Sequence, residues 1–367
     1  MVSVPVPHAT RTGLTPTDDG ATQAARAALL ASIEQLPIYD LTVELETVAS
    51  VELAEHPGSA LRGALVQALL DTHCTNKAAP SCAACPLVRV CPVSALVAPM
   101  RDEAPRGRDV PRPFVITSPL LGARHMDIGS TWSFGLTLFG AAAALFPYVV
   151  LAHRRFEANG LGLRSESGRR GRVMVRRITS NARDAGVTLY EPGAARVVAP
   201  ASGADAARIT ARAATLPRDR VTLRFLSPMR LKGDGVVLPR PHPTVLAHRI
   251  LERWEGLRRE YGRAEGPDPL APLRGPASVG ARGDARALLA VADTVVVERD
   301  DTRWVELASY SSRQRRFTPI GGFVGDATLA GEVGALSEVL ALGEVIHAGK
   351  DVVKGNGRYE ILGAPHQ

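Results

Sequence analysis

Hydrophobic residues recur along the first half of the chain with two different periods, and each period predicts one kind of element. Residues 40–46 alternate strictly between apolar and polar side chains, which predicts a half-buried strand. Leu61, Leu65 and Leu69 then recur with helical spacing, and Ser59 is the expected N-cap of that helix. The same reasoning predicts helices over 21–36 and 148–158 and strands over 114–118, 131–139 and 173–178.

The second half of the chain repeats this order of elements. Residues 221–225 alternate again, a loop over 227–243 follows, and a helix with one apolar face then runs from Leu246 to Tyr261. The remaining expectations are two strands within 294–309, a helix over 334–342 and an irregular connection over 191–218.

Two runs of strand, loop, amphipathic helix and further strands predict the fold class. That order opens the β-α-β-β-α-β unit of a ferredoxin-like fold, so we expect an α+β protein with two such folds in tandem. Residues 1–36 would be an N-terminal extension. Residues 37–218 would form the first domain, with a cysteine-rich insert over 74–91, and residues 219–367 the second domain, with a glycine-rich loop.

The charge of the chain favours an acidic partner, whereas its apolar stretches do not favour a membrane. The 367 residues carry a formal net charge of +7, which suits a polyanion. The sequence does not open with a basic start and an apolar core, as a secretory signal does. The apolar stretch 136–152 falls short of the ~20 residues of a membrane span and contains Pro147. We therefore expect a soluble cytoplasmic protein.

All four cysteines lie within one short segment, in the pattern Cys74-x7-Cys82-x2-Cys85-x5-Cys91. Clustered cysteines in a large intracellular protein favour a metal over disulfides. Cys82 and Cys85 can chelate one ion from a tight turn, and the other two can complete a tetrahedron, which suits a closed structural Zn²⁺ site. A 4Fe-4S cluster is the alternative, because prolines follow Cys85 and Cys91 as in some cluster-binding loops. Neither group would have a catalytic role.

Glycines and cations alternate in the segment GEVIHAGKDVVKGNGRY, which begins at Gly343. This segment fails as a P-loop, because Glu344 and Asp351 stand where a P-loop needs Gly and Ser or Thr. We expect a flexible loop whose bare backbone amides and cations suit an RNA backbone, the alternative being a plain turn before a last strand. The expected RNA contacts are Lys350, Lys354, Gly355, Gly357 and Arg358.

Six further cations are candidate RNA contacts. They lie in a loop beside glycines, on the polar face of the second amphipathic helix, or in a stretch that alternates cations with Trp304 and Tyr310. Cations interleaved with aromatic rings are typical of surfaces that bind single-stranded RNA. A solvated loop and an ordinary edge strand would give the same patterns. The six cations are Arg230, Lys232, Arg249, Arg253, Arg313 and Arg315.

The order of these pieces resembles the CRISPR-associated RAMP endoribonuclease that processes pre-crRNA. From residue 38 onward, the matching pieces are LRGALVQALL with the C…CxxC…CP insert, FGLTLFG, FLSPMRLKGDG, SYSSRQ and GEVIHAGK…GNGRYEI. The resemblance implies two ferredoxin-like folds side by side, binding of a CRISPR repeat and a single cut per repeat. The implied partners are repeat RNA, the crRNA product and other subunits of a CRISPR effector complex.

RNA can be cut without a metal if its 2′-hydroxyl is deprotonated and attacks the next phosphate, which leaves a 2′,3′-cyclic phosphate. Histidine suits the proton transfers, and Lys or Arg suits the charge of the phosphorane. In this family a histidine often lies near the first helix of the N-terminal fold. His56 has that place, so we expect it to be the general base or acid, with Arg62 and Lys232 as transition-state cations. The alternatives to this histidine are His73, His242 and His347.

Two other functions fit parts of this pattern. A non-catalytic RAMP subunit that binds crRNA within an effector complex would share the fold and the basic surface, and would bind RNA without cutting it. An iron–sulfur redox protein would use the cysteine cluster and would absorb visible light, unlike a zinc protein. The sequence contains no flavin or nicotinamide fingerprint, which counts against the redox protein.

Overall fold

The computed structural model of the protein describes residues 19–99, 110–120, 122–181, 186–201, 205–262, 284–311 and 316–362. The helices in these ranges are α1 (Asp19–Glu34), α2 (Gly58–His73), α3 (Pro92–Val97), α4 (Phe146–Asn159), α5 (Asp205–Ala214), α6 (Pro243–Tyr261), α7 (Asp284–Ala292) and α8 (Ser337–Ile346). Within the same ranges, no helix is both long enough and apolar enough to cross a membrane.

The strands of the first half are β1 (Ile38–Ala49), β2 (Val51–Leu53), β3 (Phe114–Thr117), β4 (Arg124–Met126), β5 (Thr131–Phe139), β6 (Leu161–Arg164), β7 (Arg170–Ser180) and β8 (Val187–Tyr190). The strands of the second half are β9 (Arg220–Met229), β10 (Leu231–Gly233), β11 (Val236–Leu238), β12 (Val296–Val305), β13 (Ala308–Ser311), β14 (Arg316–Pro319), β15 (Gly322–Ala330) and β16 (Tyr359–Leu362).

Two larger sheets hold most of these strands. The first has the order β3-β5-β1-β7-β6, with β8 beside β7, and the second has the order β12-β15-β9-β16. Neighbouring strands in both sheets are antiparallel. In chain order, the elements of the first unit are β1, α2, β3, β5, α4 and β7. The corresponding elements of the second unit are β9, α6, β12, β15, α8 and β16. The protein is therefore mixed α/β with antiparallel sheets, and the two sheets share one core strand order.

The strict alternation in β1 has the predicted result. Leu41, Val43 and Leu45 are buried, and Val43 is paired with Phe134 of β5 on one side and Ile178 of β7 on the other. These side chains belong to one hydrophobic core with residues of α2 and α4. Burial of these apolar side chains determines which face of the strand turns to the core and in which register the strand pairs.

A second hydrophobic core holds the second sheet together with α6, α7 and α8, and it also takes in α1 and α5 from earlier in the chain. Ile33 of α1 and Ile209 of α5 are both buried there. Conversely, Val352 and Val353, which follow α8, are buried in the first core. Because each core includes residues from the other half of the chain, the two halves meet along a packed junction.

Two local expectations are wrong. The connection expected to be irregular over 191–218 contains α5, because its alanines are good helix formers and Ile209 gives the helix an apolar side to bury. Ser59 is not the N-cap of α2, because that helix begins one residue earlier, after Pro57, without a side-chain cap. The Ser59 hydroxyl instead lies 2.7 Å from the hydroxyl of Ser309.

Candidate active site

His56 lies in the loop between β2 and α2, in a pocket at the junction of the two cores that we call the His56 pocket. Its volume is about 170 Å³. One wall comes from this loop and the segment after β3, and the other comes from β9 and the glycine-rich loop. The lining residues are Glu55, His56, Gly58, Ser118, Pro119, Leu120, Gly122, Leu226, Ser227, Lys354, Gly355, Asn356 and Arg358.

Two glycines allow the walls of the pocket to touch. A Cβ on Gly58 would overlap the backbone oxygen of Lys354 and the Oγ of Ser118. A Cβ on Gly355 would overlap the same Oγ and would lie 3.3 Å from the Cα of Gly58. The start of α2 and the glycine-rich loop can therefore pack backbone against backbone only because neither glycine carries a side chain.

The surroundings of His56 favour a neutral imidazole with an available nitrogen. Its side chain is 15% exposed, and Nε2 is buried without a hydrogen-bond partner in the part of the chain that the structure describes. A carboxylate oxygen of Glu55 lies 3.9 Å from this nitrogen and 3.6 Å from the guanidinium of Arg303. Burial lowers the pKa of His56; Glu55 opposes the shift and the positive charge of Arg303 adds to it. Such an imidazole can accept a proton from a hydroxyl.

Two cations of the glycine-rich loop face the same pocket. Arg358 donates from Nη1 to the backbone oxygen of Ser118 at 3.2 Å, and burial lowers the pKa of its guanidinium. Lys354 forms a 2.8 Å ion pair with Asp351. Both cations are among the RNA contacts predicted from the sequence, and the structure places them opposite His56. Positive charge in the same pocket as a proton acceptor can stabilise a phosphate bound there.

The glycine-rich loop is packed, and its amides are not bare. The amides of Gly355 and Gly357 donate to the backbone oxygens of Val352 and Pro228, each at 3.0 Å. Both glycines are buried and have positive φ angles of 82° and 73°. The expectation of a flexible loop with free amides is therefore wrong, because these glycines serve a tight turn and a close backbone approach. The cationic side chains of the loop remain candidate RNA contacts.

Arg62 and Lys232, the cations predicted to stabilise the transition state, do not line the His56 pocket. Arg62 lies in α2, where burial, helped by Arg112 and opposed by Asp351, lowers its pKa to about 10. Lys232 lies in β10, and its carbonyl oxygen accepts a 3.0 Å hydrogen bond from Nε of Arg249. The structure therefore does not bring either cation together with His56, and their catalytic roles remain predictions.

Other cations predicted to bind RNA are held by the fold. Arg253 donates from Nε to the backbone oxygen of Ile346 at 2.9 Å, its guanidinium lies 5.9 Å from the centre of the Phe139 ring, and burial lowers its pKa to about 10. Arg230 donates to the backbone oxygen of Gly321 at 3.1 Å. Of the rest, Lys350 is exposed, whereas Arg313 and Arg315 lie outside the described residues.

A second groove, with a volume of about 420 Å³, shares Ser118 and Arg358 with the His56 pocket. His347 borders this groove but is only 2% exposed. Burial, together with the charges of Arg358 and Arg253, lowers the pKa of His347 to about 3. His347 is therefore neutral at ordinary pH, and its imidazole is poorly suited to the uptake of a proton.

The two other alternative histidines lie away from the His56 pocket. His73 ends α2, its Nε2 lies 2.9 Å from the backbone oxygen of Tyr148, and the two rings meet edge to face. His242 directly precedes α6 and is exposed. Neither residue contributes to the walls of the His56 pocket.

The four cysteines lie between α2 and α3. Cys74 follows α2 directly, Cys82 begins a short 3₁₀ turn, and Cys91 precedes α3. All four are half-buried and free. Burial raises the pKa of Cys82, and the other three thiols raise it further. As they stand, no three His, Cys, Asp or Glu side chains among the described residues are arranged to hold a metal ion.

Sequence reasoning missed two residues beside His56. Glu55 is its neighbour in the chain, so a carboxylate next to a candidate base was visible in the sequence. Arg303 lies in the cationic and aromatic stretch of the second half, but the pattern of that stretch does not reveal that it reaches Glu55. Only the packing of the two cores brings the three residues together.

Two family models match separate parts of the chain. Residues 223–359 match the family model of the CRISPR-associated endoribonuclease Cas6, and residues 36–202 match a model described as an N-terminal domain. A partial Cas6-RT-Cas1–Cas2 complex is similar to the chain, with a TM-score of 0.52 and 14% identity, over 90% of this chain and 47% of that chain. No curated protein matches the sequence.

Two further solved structures are similar over nearly their whole length. A Cas6 product complex has a TM-score of 0.48 and 17% identity, covering 89% of this chain and 99% of that chain. Thermus thermophilus Cas6 has a TM-score of 0.44 and 18% identity, with the same coverage. The family match over the second half of the chain supports a CRISPR-associated endoribonuclease. Residues 223–359 are thus similar to the CRISPR-associated endoribonucleases of the Cas6 family.

Proposed function

We propose that the protein binds CRISPR repeat RNA and cleaves pre-crRNA once in each repeat, without a metal ion, by attack of a 2′-hydroxyl on the adjacent phosphate. The observation that carries the proposal is the His56 pocket, which is lined by Lys354, Arg358 and His56, whose buried Nε2 has no hydrogen-bond partner among the described residues. A base and cations on opposite walls of one small pocket suit a phosphodiester placed between them.

The residues of the pocket would divide the reaction between them. Nε2 of His56 accepts the proton of the 2′-hydroxyl while the 2′-oxygen forms a bond to phosphorus. The bond from phosphorus to the 5′-oxygen breaks, and that oxygen takes up a proton from the imidazolium or from water. Lys354 and Arg358 stabilise the negative charge on the non-bridging oxygens. The products are a 2′,3′-cyclic phosphate and a 5′-hydroxyl.

The test of this function is an incubation of the purified wild-type chain with labelled cognate repeat RNA in excess EDTA. A single cut that leaves a cyclic phosphate end supports the proposal. A cut that requires added divalent metal contradicts the metal-independent mechanism. Tight binding without a cut would favour the non-catalytic subunit, and the absence of both binding and cutting would remove the RNA function.

The pH dependence of cleavage should report the environment of His56. The base must be unprotonated, so the rate should rise with pH through an apparent pKa below the ordinary histidine value of 6.5. Arg303→Gln should move this midpoint to higher pH, because it removes a positive charge that disfavours protonation. Glu55→Gln should move it to lower pH, because it removes a negative charge. Single-turnover rates at low ionic strength would measure both shifts.

Arg299→Gln is the matched control for this pH series. Arg299 lies on the same strand as Arg303 but pairs with Asp301 at 2.6 Å. Its removal should leave the midpoint unchanged. Identical midpoints in wild type and in both the Glu55 and Arg303 variants would mean that His56 is not the group that titrates.

We also propose that the two halves are tandem ferredoxin-like folds, the first of which carries a metal-binding cysteine insert. The shared strand order supports the duplication. Four half-buried thiols within the one connection between α2 and α3 fit a tetrathiolate site for Zn²⁺, with 4Fe-4S as the alternative. The sulfur atoms would have to rotate toward one centre, because the thiols do not form a metal site as they stand. The ion would cross-link the α2–α3 connection and would have no part in the cut.

Metal analysis of the purified protein should find one zinc per chain. Cys82→Ser should lower the zinc content and the melting temperature, because a structural metal site contributes directly to folding. Strong visible absorption would instead indicate an iron–sulfur cluster. If removal of bound metal left the melting temperature unchanged, both the zinc and the iron–sulfur assignment would be contradicted.

The partners follow from the same proposal. Repeat RNA would be the substrate and crRNA the product, and other subunits of a CRISPR effector complex are possible binding partners. The positive net charge of the chain supports an RNA ligand. A transcript as substrate would place the enzyme in the cytoplasm.

A further inference from the structure

The hairpin of β13 and β14 exposes two aromatic rings. Tyr310 and Phe317 are directly paired across the hairpin, and their rings meet edge to face with 5.2 Å between centroids. They are 54% and 71% exposed. Keeping large aromatic side chains in water forgoes their burial free energy, so an adjacent pair on one face favours a surface that a ligand covers.

Two contacts fix this hairpin beside the His56 pocket. The hydroxyl of Ser309 lies 2.7 Å from that of Ser59, at the start of the helix that follows His56. At the same open end of the hairpin, Asn356 donates from Nδ2 to the backbone oxygen of Ile320 at 2.7 Å, and Asn356 itself lines the His56 pocket. These two contacts hold the open end of the hairpin, and thus the strands that carry the aromatic pair, beside the candidate active site.

The charge around the rings favours a nucleic acid over a protein. Arg316 precedes Phe317 in β14 and is exposed. Arg303, on the strand that leads into the hairpin, is exposed beside Glu55 at the pocket. Single-stranded RNA is bound by rings that stack with bases while cations contact the phosphates. The hairpin that carries the rings is also anchored beside the pocket proposed to hold the cut phosphate.

We propose that Tyr310 and Phe317 form a stacking platform for unpaired bases of the RNA next to the phosphate that is cut. This inference rests on the proposed function and deepens it, because it assigns base contacts to a surface that phosphate binding does not explain. The platform positions substrate and takes no part in proton transfer. Stacking tolerates any base, so it favours an unpaired strand over a duplex without reading the sequence.

The experiment measures binding of the full chain to two labelled strands of equal length, oligoadenosine RNA and an abasic strand with the same phosphates. Tyr310→Ala and Phe317→Ala should each weaken oligoadenosine binding about tenfold, the cost of losing a base stack. Binding of the abasic strand should not change. The slope of log affinity against log salt should also stay the same, because no phosphate contact is removed. Tyr310→Trp should restore affinity.

Val296→Ala is the matched control, since Val296 lies at the other end of β12 and is 59% exposed. It should bind both strands as wild type does. Unchanged oligoadenosine affinity in the two ring variants would overturn the platform, as would an equal loss on both strands. If the wild type sedimented as a dimer and the ring variants as monomers with unchanged RNA affinity, the rings would instead contact a second copy of the chain. If the wild type cuts RNA and the ring variants bind RNA normally, only the stacking platform is contradicted. If the wild type neither cuts nor binds RNA, the proposed function is contradicted as well.

Discussion

His56→Ala should reduce the rate of repeat cleavage by about 100- to 10,000-fold, the usual contribution of a general base. Affinity for the RNA should change little, because Lys354 and Arg358 keep their places in the pocket. The physical reason is that Nε2 of His56 has no hydrogen-bond partner among the described residues, and that His56 shares its pocket with these cations. Single-turnover cleavage of labelled repeat RNA with enzyme in excess, in EDTA, measures the rate, and a titration with uncut RNA measures the affinity.

The other histidines provide the controls for this variant. His73→Ala should keep the wild-type rate, because its ring packs on Tyr148 outside the His56 pocket. His242→Ala should also keep it, because His242 is exposed before α6. A His56→Ala enzyme that cuts at the wild-type rate would exclude His56 as the base, and a loss confined to His242→Ala would move the proton transfer there.

Gly58→Ala should lower both the stability and the activity of the enzyme. The added Cβ would overlap the backbone oxygen of Lys354 and the hydroxyl of Ser118, and backbone cannot yield as a flexible side chain can. Overpacking of this kind costs about 1–3 kcal/mol of unfolding free energy. Relief of the overlap would move Lys354 away from His56, and a misplacement of about 1 Å can reduce a rate about 100-fold. Thermal unfolding and single-turnover cleavage measure the two effects.

Gly63→Ala is the matched control, in the same helix. Gly63 is exposed, and a Cβ there would meet nothing within 4 Å. Alanine should therefore stabilise α2 by about 0.5–1 kcal/mol, as expected for a compatible helical glycine, and leave the cut unchanged. If Gly58→Ala behaved like Gly63→Ala, the backbones of α2 and the glycine-rich loop would not be in contact in solution.

Local pattern was enough to predict many of the elements but not their assembly. The alternation over 40–46 predicted β1 and its buried face, because a two-residue period has only one structural meaning at that length. The sequence predicted a helix over 21–36, yet it could not show that Ile33 of this helix packs in the second core. The hydrophobic period of an element identifies which of its sides is buried, but it does not identify the element against which that side packs.

The candidate site shows the same division. His56 and the cations of the glycine-rich loop could be selected from the sequence, because residue type and local glycines suggest chemistry. The packing of the loop could not, since glycine serves equally for an exposed turn and for the close contact seen at Gly355. The proximity of Arg303 to Glu55 depends on how two distant strands and loops dock, which no local pattern encodes.

Val352 and Val353 are buried in the core of the first sheet although they follow α8 of the second. The wall that carries Lys354 is therefore held in place by the docking of two cores, and the pocket exists only in molecules in which they are joined. An RNA that touches both walls binds this joined form alone and stabilises it by mass action. Bound RNA therefore holds the two cores together. Mild heating should abolish cleavage when the junction opens, before either sheet unfolds.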